Sequence, residues 1–366
     1  MQIDEREWRR YNTLLCKSQK GRIPHWEAWS HPDAESFLTG IDYYEHPRLC
    51  RQRMRELFPE LGLYVFPDDT PRSRPAVGGE TVNIDAATVR WGDSESATWV
   101  HGEQFFKTEE DVLSFRPLEH ADMRDWVHVV ANYDYRTEDG LYRNFRKDFP
   151  KEWDAAVPGR AVNTGTYNTM FMWPLLTFGW DLFLRTCLED DFGTVMDGFA
   201  ELNRRAFHAM CRLPVNFIVC HDDIATARGP VCSREWMYKY IYPRYEEFFS
   251  MAKEAGKTIL FMADGCLDDQ IDDVIACGAR GLISEPVTDY RKILKKHPDF
   301  FVAGEGDNRI LSYGNPDDIR RMVEKMVDTS KLGGGYMMSI GNHIPWNVPV
   351  EAVGRYLDLC GELAYR

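Results

Sequence analysis

Acidic residues and histidines in this 366-residue chain recur directly after short apolar runs. His221, Asp222 and Asp223 follow VNFIVC (215–220), Asp264 and Gly265 follow TILFM (258–262), and Glu285 follows GLIS (281–284). Glu305 and Asp307 follow FFVA (300–303), and His343 comes after GYMMS (335–339). His25-Trp26-Glu27 and Asp68-Asp69 close two earlier runs. Carboxylates gathered with histidine support two kinds of chemistry. They hold a hard or borderline metal through oxygen and nitrogen, or they hold protons at raised pKa for acid–base work. Residue type alone leaves both open. Helix capping competes for any single Asp, because its side chain accepts the free N–H groups of a first turn, and Asp223 and Asp307 suit that role. Glu285 before Pro286 does not, since Glu is a poor N-cap. A lone histidine is more often structural; what marks His343 is its place after the last run, between Asn342 and Ile344-Pro345.

The runs have strand character, and each precedes a segment of helical period, the pattern of consecutive βα units on a parallel sheet. The plainest helix places Ile319, Met322, Val323, Met326 and Val327 on one face after Asn315-Pro316, and the next opens at Pro349. Upstream, RIPHWEAW (22–29), GLYVF (62–66) and TGTYNTMFM (164–172) add three strands, with a helical pattern from Pro47 to Leu61. Eight such units predict one domain over residues 1–366, a (β/α)8 TIM barrel of the α/β class. An N-terminal helix (4–19) and the 67–163 stretch stand outside the repeat. The latter is an insertion between strands two and three, β-rich at VNIDAATVRW and ATWVHGEQFF, then helical, near the barrel mouth. An open doubly wound sheet fits less well, because no GxGxxG follows an early strand. Barrel enzymes carry their chemistry at the carboxyl ends of strands, so Asp222, Asp264, Glu285, Glu305 and His343 are expected to face one cavity.

The charge balance, 44 Lys+Arg against 58 Asp+Glu for a net −14, disfavours nucleic acid and anionic membrane surfaces as partners. No apolar run approaches the roughly 18 residues that span a bilayer, and the opening MQIDEREWRRYN is charged, which points to a cytoplasmic protein. Nine cysteines are scattered without any CxxC pair and read as reduced thiols.

At these same residues the sequence resembles the uroporphyrinogen decarboxylase superfamily, which includes true decarboxylases and corrinoid-dependent methyltransferases. EREWRRYNTLL…GRIPHWE is similar to the family's first helix and strand, and HDDIATARGPVCSREWMYKYIYPRYEEFF to its Asp-Asp segment. FMADG, FFVAGEGD, GNPDDIRRMVEKMV and GGYMMSIGNHIPWNVPVEAV are similar to its distal signatures. The resemblance implies a (β/α)8 barrel. True decarboxylases grip porphyrinogen carboxylates with an Arg-rich loop after the first strand, where this chain has HWEAWSHPDA without Arg. Their aspartate after the second strand has Asp68 or Asp69 as its nearest match. The zinc methyltransferases place His-x-Cys after strand five and a further Cys near strand eight; here stand Met262-x-Asp264 and His343.

The resemblance therefore implies a methyltransferase that moves a methyl group from a small methylated or methoxylated substrate to a separate corrinoid protein. The substrate would lie against Trp26, Trp173 and Trp346. Asp264, Glu285, Glu305 and His343 would supply an acid or hold a zinc ion, Asp222 would orient substrate, and Glu27 would close the polar ring. Two alternatives are a cofactor-free decarboxylase of a uroporphyrinogen-like or smaller carboxylate and a non-catalytic binder of a tetrapyrrole or corrinoid. The cysteine spacing makes one prediction by itself. Protein denatured without reductant should titrate close to nine free thiols, and a markedly lower count would refute the reduced reading.

Overall fold

The computed structural model describes residues 3–18, 20–61, 67–73, 81–84, 87–91, 97–100, 105–123, 133–166 and 169–366. The chain divides into two compact units, a central one (Val77–Arg280) and a terminal one (Met1–Ala76 with Gly281–Arg366).

The central unit opens with three antiparallel strands, Thr81–Ile84, Ala87–Trp91 and Ala97–Val100, followed by helices Glu109–Ser114 and Glu138–Phe145. This is the β-rich and then helical order expected of the insertion. Three parallel strands follow, Asn163–Thr166, Phe217–His221 and Thr258–Met262, with Asn163 opposite Phe217 and Phe217 opposite Thr258. Parallel pairing requires crossovers, and helices Phe192–Cys211 and Tyr242–Glu254 lie on them. The first buries Val195, Phe199, Leu202, Ala206 and Met210 along one face. Phe207 stacks on Phe248 with ring centroids 4.9 Å apart, and burying such a ring contributes roughly 2–3 kcal/mol. Two expectations are corrected here. Of TGTYNTMFM, residues 164–166 lie in the described strand Asn163–Thr166, and Met172 already begins helix Met172–Phe178. The fourth run shifts toward the C-terminus, so His221 is its last strand residue instead of following it.

In the terminal unit, helix Glu5–Leu14 starts from Asp4, whose side chain accepts the Glu7 N–H. It stops short of the expected residue 19, because Cys16 takes a left-handed φ of 56°. Helix Pro47–Leu57 also ends early; Pro59, with no N–H to donate, begins a separate 3-10 turn. Strands Gly281–Ile283, Phe301–Ala303 and Tyr336–Met337 pair in parallel. RIPHWEAW joins locally, through an antiparallel bridge from Arg22 to Tyr365, a parallel bridge from His25 to Met338 and the pairing of Trp29–Ser30 with Ile344–Pro345. Helix Pro316–Ser330 begins where expected, at an Asn315–Asp318 capping box, and helix Val350–Leu363 follows Pro349. GLYVF (62–66) lies outside the described residues. Among the described residues the fold is α/β, with three parallel strands in the central unit and, in the terminal unit, three more besides the short parallel pair Trp29–Ser30 with Ile344–Pro345. No helix among the described residues is long and apolar enough to cross a membrane.

Two glycines with left-handed φ separate backbone preference from crowding. Gly40, at φ 71°, ends helix Pro32–Thr39 and has open space where a Cβ would stand. Gly304, at φ 104°, turns the chain after Phe301–Ala303, and a Cβ there would come within 1.8 Å of the Ser284 carbonyl oxygen. Gly40→Ala should cost about 1 kcal/mol of stability. Gly304→Ala should cost about 3 kcal/mol or more, because strand Gly281–Ile283 must move aside. Urea unfolding midpoints of the two variants test the difference, and equal midpoints would contradict the close approach.

Candidate functional site

The central unit brings three acids together after two neighbouring strands. Asp222 is fully buried. Its Oδ1 accepts the Met172 N–H at 2.6 Å, and its Oδ2 accepts the Phe171 N–H and the Tyr245 hydroxyl, each at 2.7 Å. The carboxylate thus occupies the start of helix Met172–Phe178, which no capping side chain of its own serves. Asp222 is an anchor between strand, helix and Tyr245, both of its oxygens engaged by protein donors. Burial pushes its carboxyl up from an ordinary 3.8 to about 6, against the lowering effect of its three donors.

Asp223 does not cap a helix, as its position after the strand had suggested; a hairpin of Ala225–Thr226 with Gly229–Pro230 follows it. Its Oδ1 accepts the backbone N–H of Asp264 at 2.7 Å and lies 3.2 Å from His221 Nε2. His221 and Asp223 are both partly exposed, as is Asp264. An imidazole held by a carboxylate that is itself fixed from a neighbouring strand is suited to carry a proton to or from a bound molecule. Trp173 was expected to line a substrate slot, but it is buried between Tyr135 and Phe199, ring centroids 4.9 and 5.6 Å away. The reason is the early helix start, which turns it into the helical core.

In the terminal unit, Glu27 is buried. Its Oε1 accepts the Tyr356 hydroxyl at 2.6 Å and lies 2.6 Å from His25 Nε2, while its Oε2 accepts the Ile340 N–H at 3.0 Å. Glu305 is also buried and turned toward helix Pro316–Ser330. Oε1 accepts from Thr329 at 3.0 Å and faces Lys325 Nζ at 3.3 Å, and Oε2 accepts from Tyr336 at 2.7 Å. Glu285 is partly exposed, and Gly341 packs against the Glu285 backbone and the Pro286 ring. His343 is exposed, its Nδ1 2.8 Å from the Asn342 side-chain oxygen, and its main-chain oxygen accepts from Asn308. Trp26 and Trp346 are partly exposed. Asp307 is the helix cap its position implied, accepting the Arg309 N–H at 2.9 Å.

Zinc ligation by Asp264, Glu285, Glu305 and His343 asks each for a lone pair directed at one point. Glu305 instead presents its oxygens to three protein donors. Among the described residues no group of three or more His, Cys, Asp or Glu is placed to hold a metal ion. The ligand set, as placed, does not fit a zinc ion. The sequence reading passed over His221, Asp223, His25 and Tyr356 as site members. A signal for the first two was present in the i, i+2 spacing at a strand end, which puts both side chains on one face; nothing local pointed to Tyr356, 329 residues from Glu27.

The geometry defines an α/β chain with acid–base groups at the carboxyl ends of parallel strands. Residues 186–363 match the family model of uroporphyrinogen decarboxylase (URO-D), and the resemblance to the uroporphyrinogen decarboxylase superfamily is borne out on that segment. Among solved structures, a methyltransferase from Methanosarcina mazei is similar in fold. It is 15% identical, has a TM-score of 0.58, and is matched over 96% of this chain and 97% of its own. No curated protein matches.

The folded pKa of Asp222 lies above its unfolded value, so the protonated carboxyl is favoured by folding. That contribution is full below about pH 4 and is lost as pH rises through about 6. Relative to Asp222→Asn, which does not titrate, the parent protein should lose on the order of 3 kcal/mol between those limits. Urea unfolding of both proteins at several pH values tests this, and parallel curves would show that the three donors keep the carboxyl at its ordinary value.

Proposed function

We propose that this protein is a methyltransferase on a (β/α)8 barrel, taking a methyl group from a small methylated or methoxylated substrate and passing it to a corrinoid held by a partner protein. The observation that carries the reading is the His221–Asp223 pair, anchored by the Asp264 N–H at the ends of two parallel strands. The name of the Methanosarcina relative supports the class of reaction.

An ether methyl departs only when its oxygen is protonated or bound to a Lewis acid, because an unassisted alkoxide or phenoxide is a poor leaving group. In this reading Asp264 presents the proton to the leaving oxygen. Asp223 holds His221 in the tautomer whose Nε2 carries hydrogen, and Asp222 keeps the start of helix Met172–Phe178 fixed beside the strand. The methyl goes to the cobalt of the partner's corrinoid, and the demethylated oxygen retains the proton. No step is routed through a zinc ion.

The URO-D match favours a second reading, decarboxylation of a carboxylate smaller than a porphyrinogen, in which a positioned charge stabilises the intermediate as carbon dioxide leaves. Methoxylated aromatics and methylated amines incubated with the protein and free reduced cobalamin distinguish the two. Appearance of the methylcobalamin spectrum supports methyl transfer, and carbon dioxide release from carboxylate substrates without it supports the alternative. Once a substrate is found, Asp264→Ala should lower kcat at least about 100-fold with an unchanged unfolding midpoint. Retention of full activity would place the acid elsewhere.

A further inference from the structure

The terminal unit carries a cleft of about 460 Å³ that no step of the proposed reaction uses. It lies between helix Val350–Leu363 on one side and the end of helix Pro47–Leu57 with the turn Pro59–Leu61 on the other. Leu57, Phe58, Leu61 and Leu357 give it apolar walls, and at Gly361 an added Cβ would meet open space. His25 borders this cleft with only 5% of its surface exposed. Its Nε2 lies 2.6 Å from Glu27 Oε1, and because a carboxylate oxygen can only accept, that nitrogen carries the hydrogen. Nδ1 of the neutral ring then keeps its lone pair, and it has no hydrogen-bond partner among the described residues. An acceptor behind so small an opening is poorly hydrated, so an N–H or O–H group brought by a ligand gains by meeting it.

The charged groups on the walls decide which donor. Arg22 Nη1 donates to the Gly361 carbonyl and to the Tyr365 hydroxyl, each at 3.0 Å, and its Nε faces Glu60 Oε1 at 3.9 Å. Glu60 in turn accepts from Arg9 Nη1 through both oxygens, at 3.2 and 3.1 Å. These groups are engaged with one another. Asp358 is exposed and forms no ion pair among the described residues, which leaves the cleft one uncompensated negative charge. We propose that this cleft is a binding site for a small organic ammonium ion with an apolar body. The ammonium donates to His25 Nδ1, its charge is offset by the Asp358 carboxylate, and the body rests against the leucines and Phe58. An anion of the same shape would meet a lone pair and a carboxylate, and is rejected.

Isothermal titration calorimetry of the whole chain with 2-phenylethylamine tests this, with 2-phenylethanol and 3-phenylpropanoate as the neutral and anionic counterparts. The amine should bind, the alcohol should bind about threefold more weakly, and the anion should give no heat. Asp358→Asn, at an exposed helix position, should lower the amine affinity about threefold and leave that of the alcohol unchanged. His25→Gln keeps an N–H for Glu27 but has no counterpart of Nδ1, and should weaken both ligands about tenfold. Asp264→Ala should bind the amine as the parent chain does. Absence of amine binding, equal binding of the anion, loss of binding in Asp264→Ala, or an amine affinity unchanged by Asp358→Asn would overturn the proposal, and the Asp358 result decides it even where His25→Gln fails to fold.

Discussion

A carboxylate taken out of water must find donors, and this requirement governs the ends of the parallel strands. An unpaired buried charge costs several kcal/mol, whereas one that accepts two or three good hydrogen bonds is tolerated. Three acids here meet the requirement in the same way, each with a tyrosine. Asp222 takes Tyr245, Glu27 takes Tyr356, and Glu305 takes Tyr336. Burial and the adjacent carboxylate hold each phenol well above its usual range, so each remains an O–H donor. The remaining lone pairs are met by backbone N–H groups or by a hydroxyl and an ammonium. Each acid therefore joins the end of a strand to a neighbouring element.

That requirement sorts acids which look equivalent in the sequence. Asp222, Glu27 and Glu305 are surrounded by fixed donors and cannot be approached by a substrate without breaking them. Asp223, Asp264 and Glu285 remain partly exposed. Among these, Asp223 is held from the adjoining strand by the Asp264 N–H and carries His221 beside it. A group that exchanges protons with a ligand needs such a placement, rigidly positioned but open on one side.

Much of the architecture was readable because it rests on local patterns. Thr258–Met262 is a strand residue for residue as its β-branched and apolar run implies, and Asn315-Pro316 starts a helix for reasons contained in four residues. What was not readable depends on distance or on parity. Tyr245 lies 23 residues from Asp222 and Tyr356 lies 329 from Glu27, so no local window reveals that these acids are already satisfied. A strand side chain reverses its face with every residue, and the one-residue extension of the fourth run to His221 was enough to move it from the loop into the strand. Trp173 was misread for a related cause: the helix that begins at Met172 is started by Asp222, an interaction 50 residues long.

The anchored acids also explain how a site can survive changes in its chemistry. If strand ends are joined to their neighbours by Asp222, Glu27 and Glu305, the positions between them need not contribute to holding the fold. A residue such as Asp264, partly exposed, has its backbone N–H fixed by the Asp223 carboxylate on the adjoining strand end. Its side chain can then change without loss of the strand end. Asp264 falls where this scaffold permits variation, and Asp222, held by the Phe171 and Met172 N–H groups and the Tyr245 hydroxyl, falls where it does not.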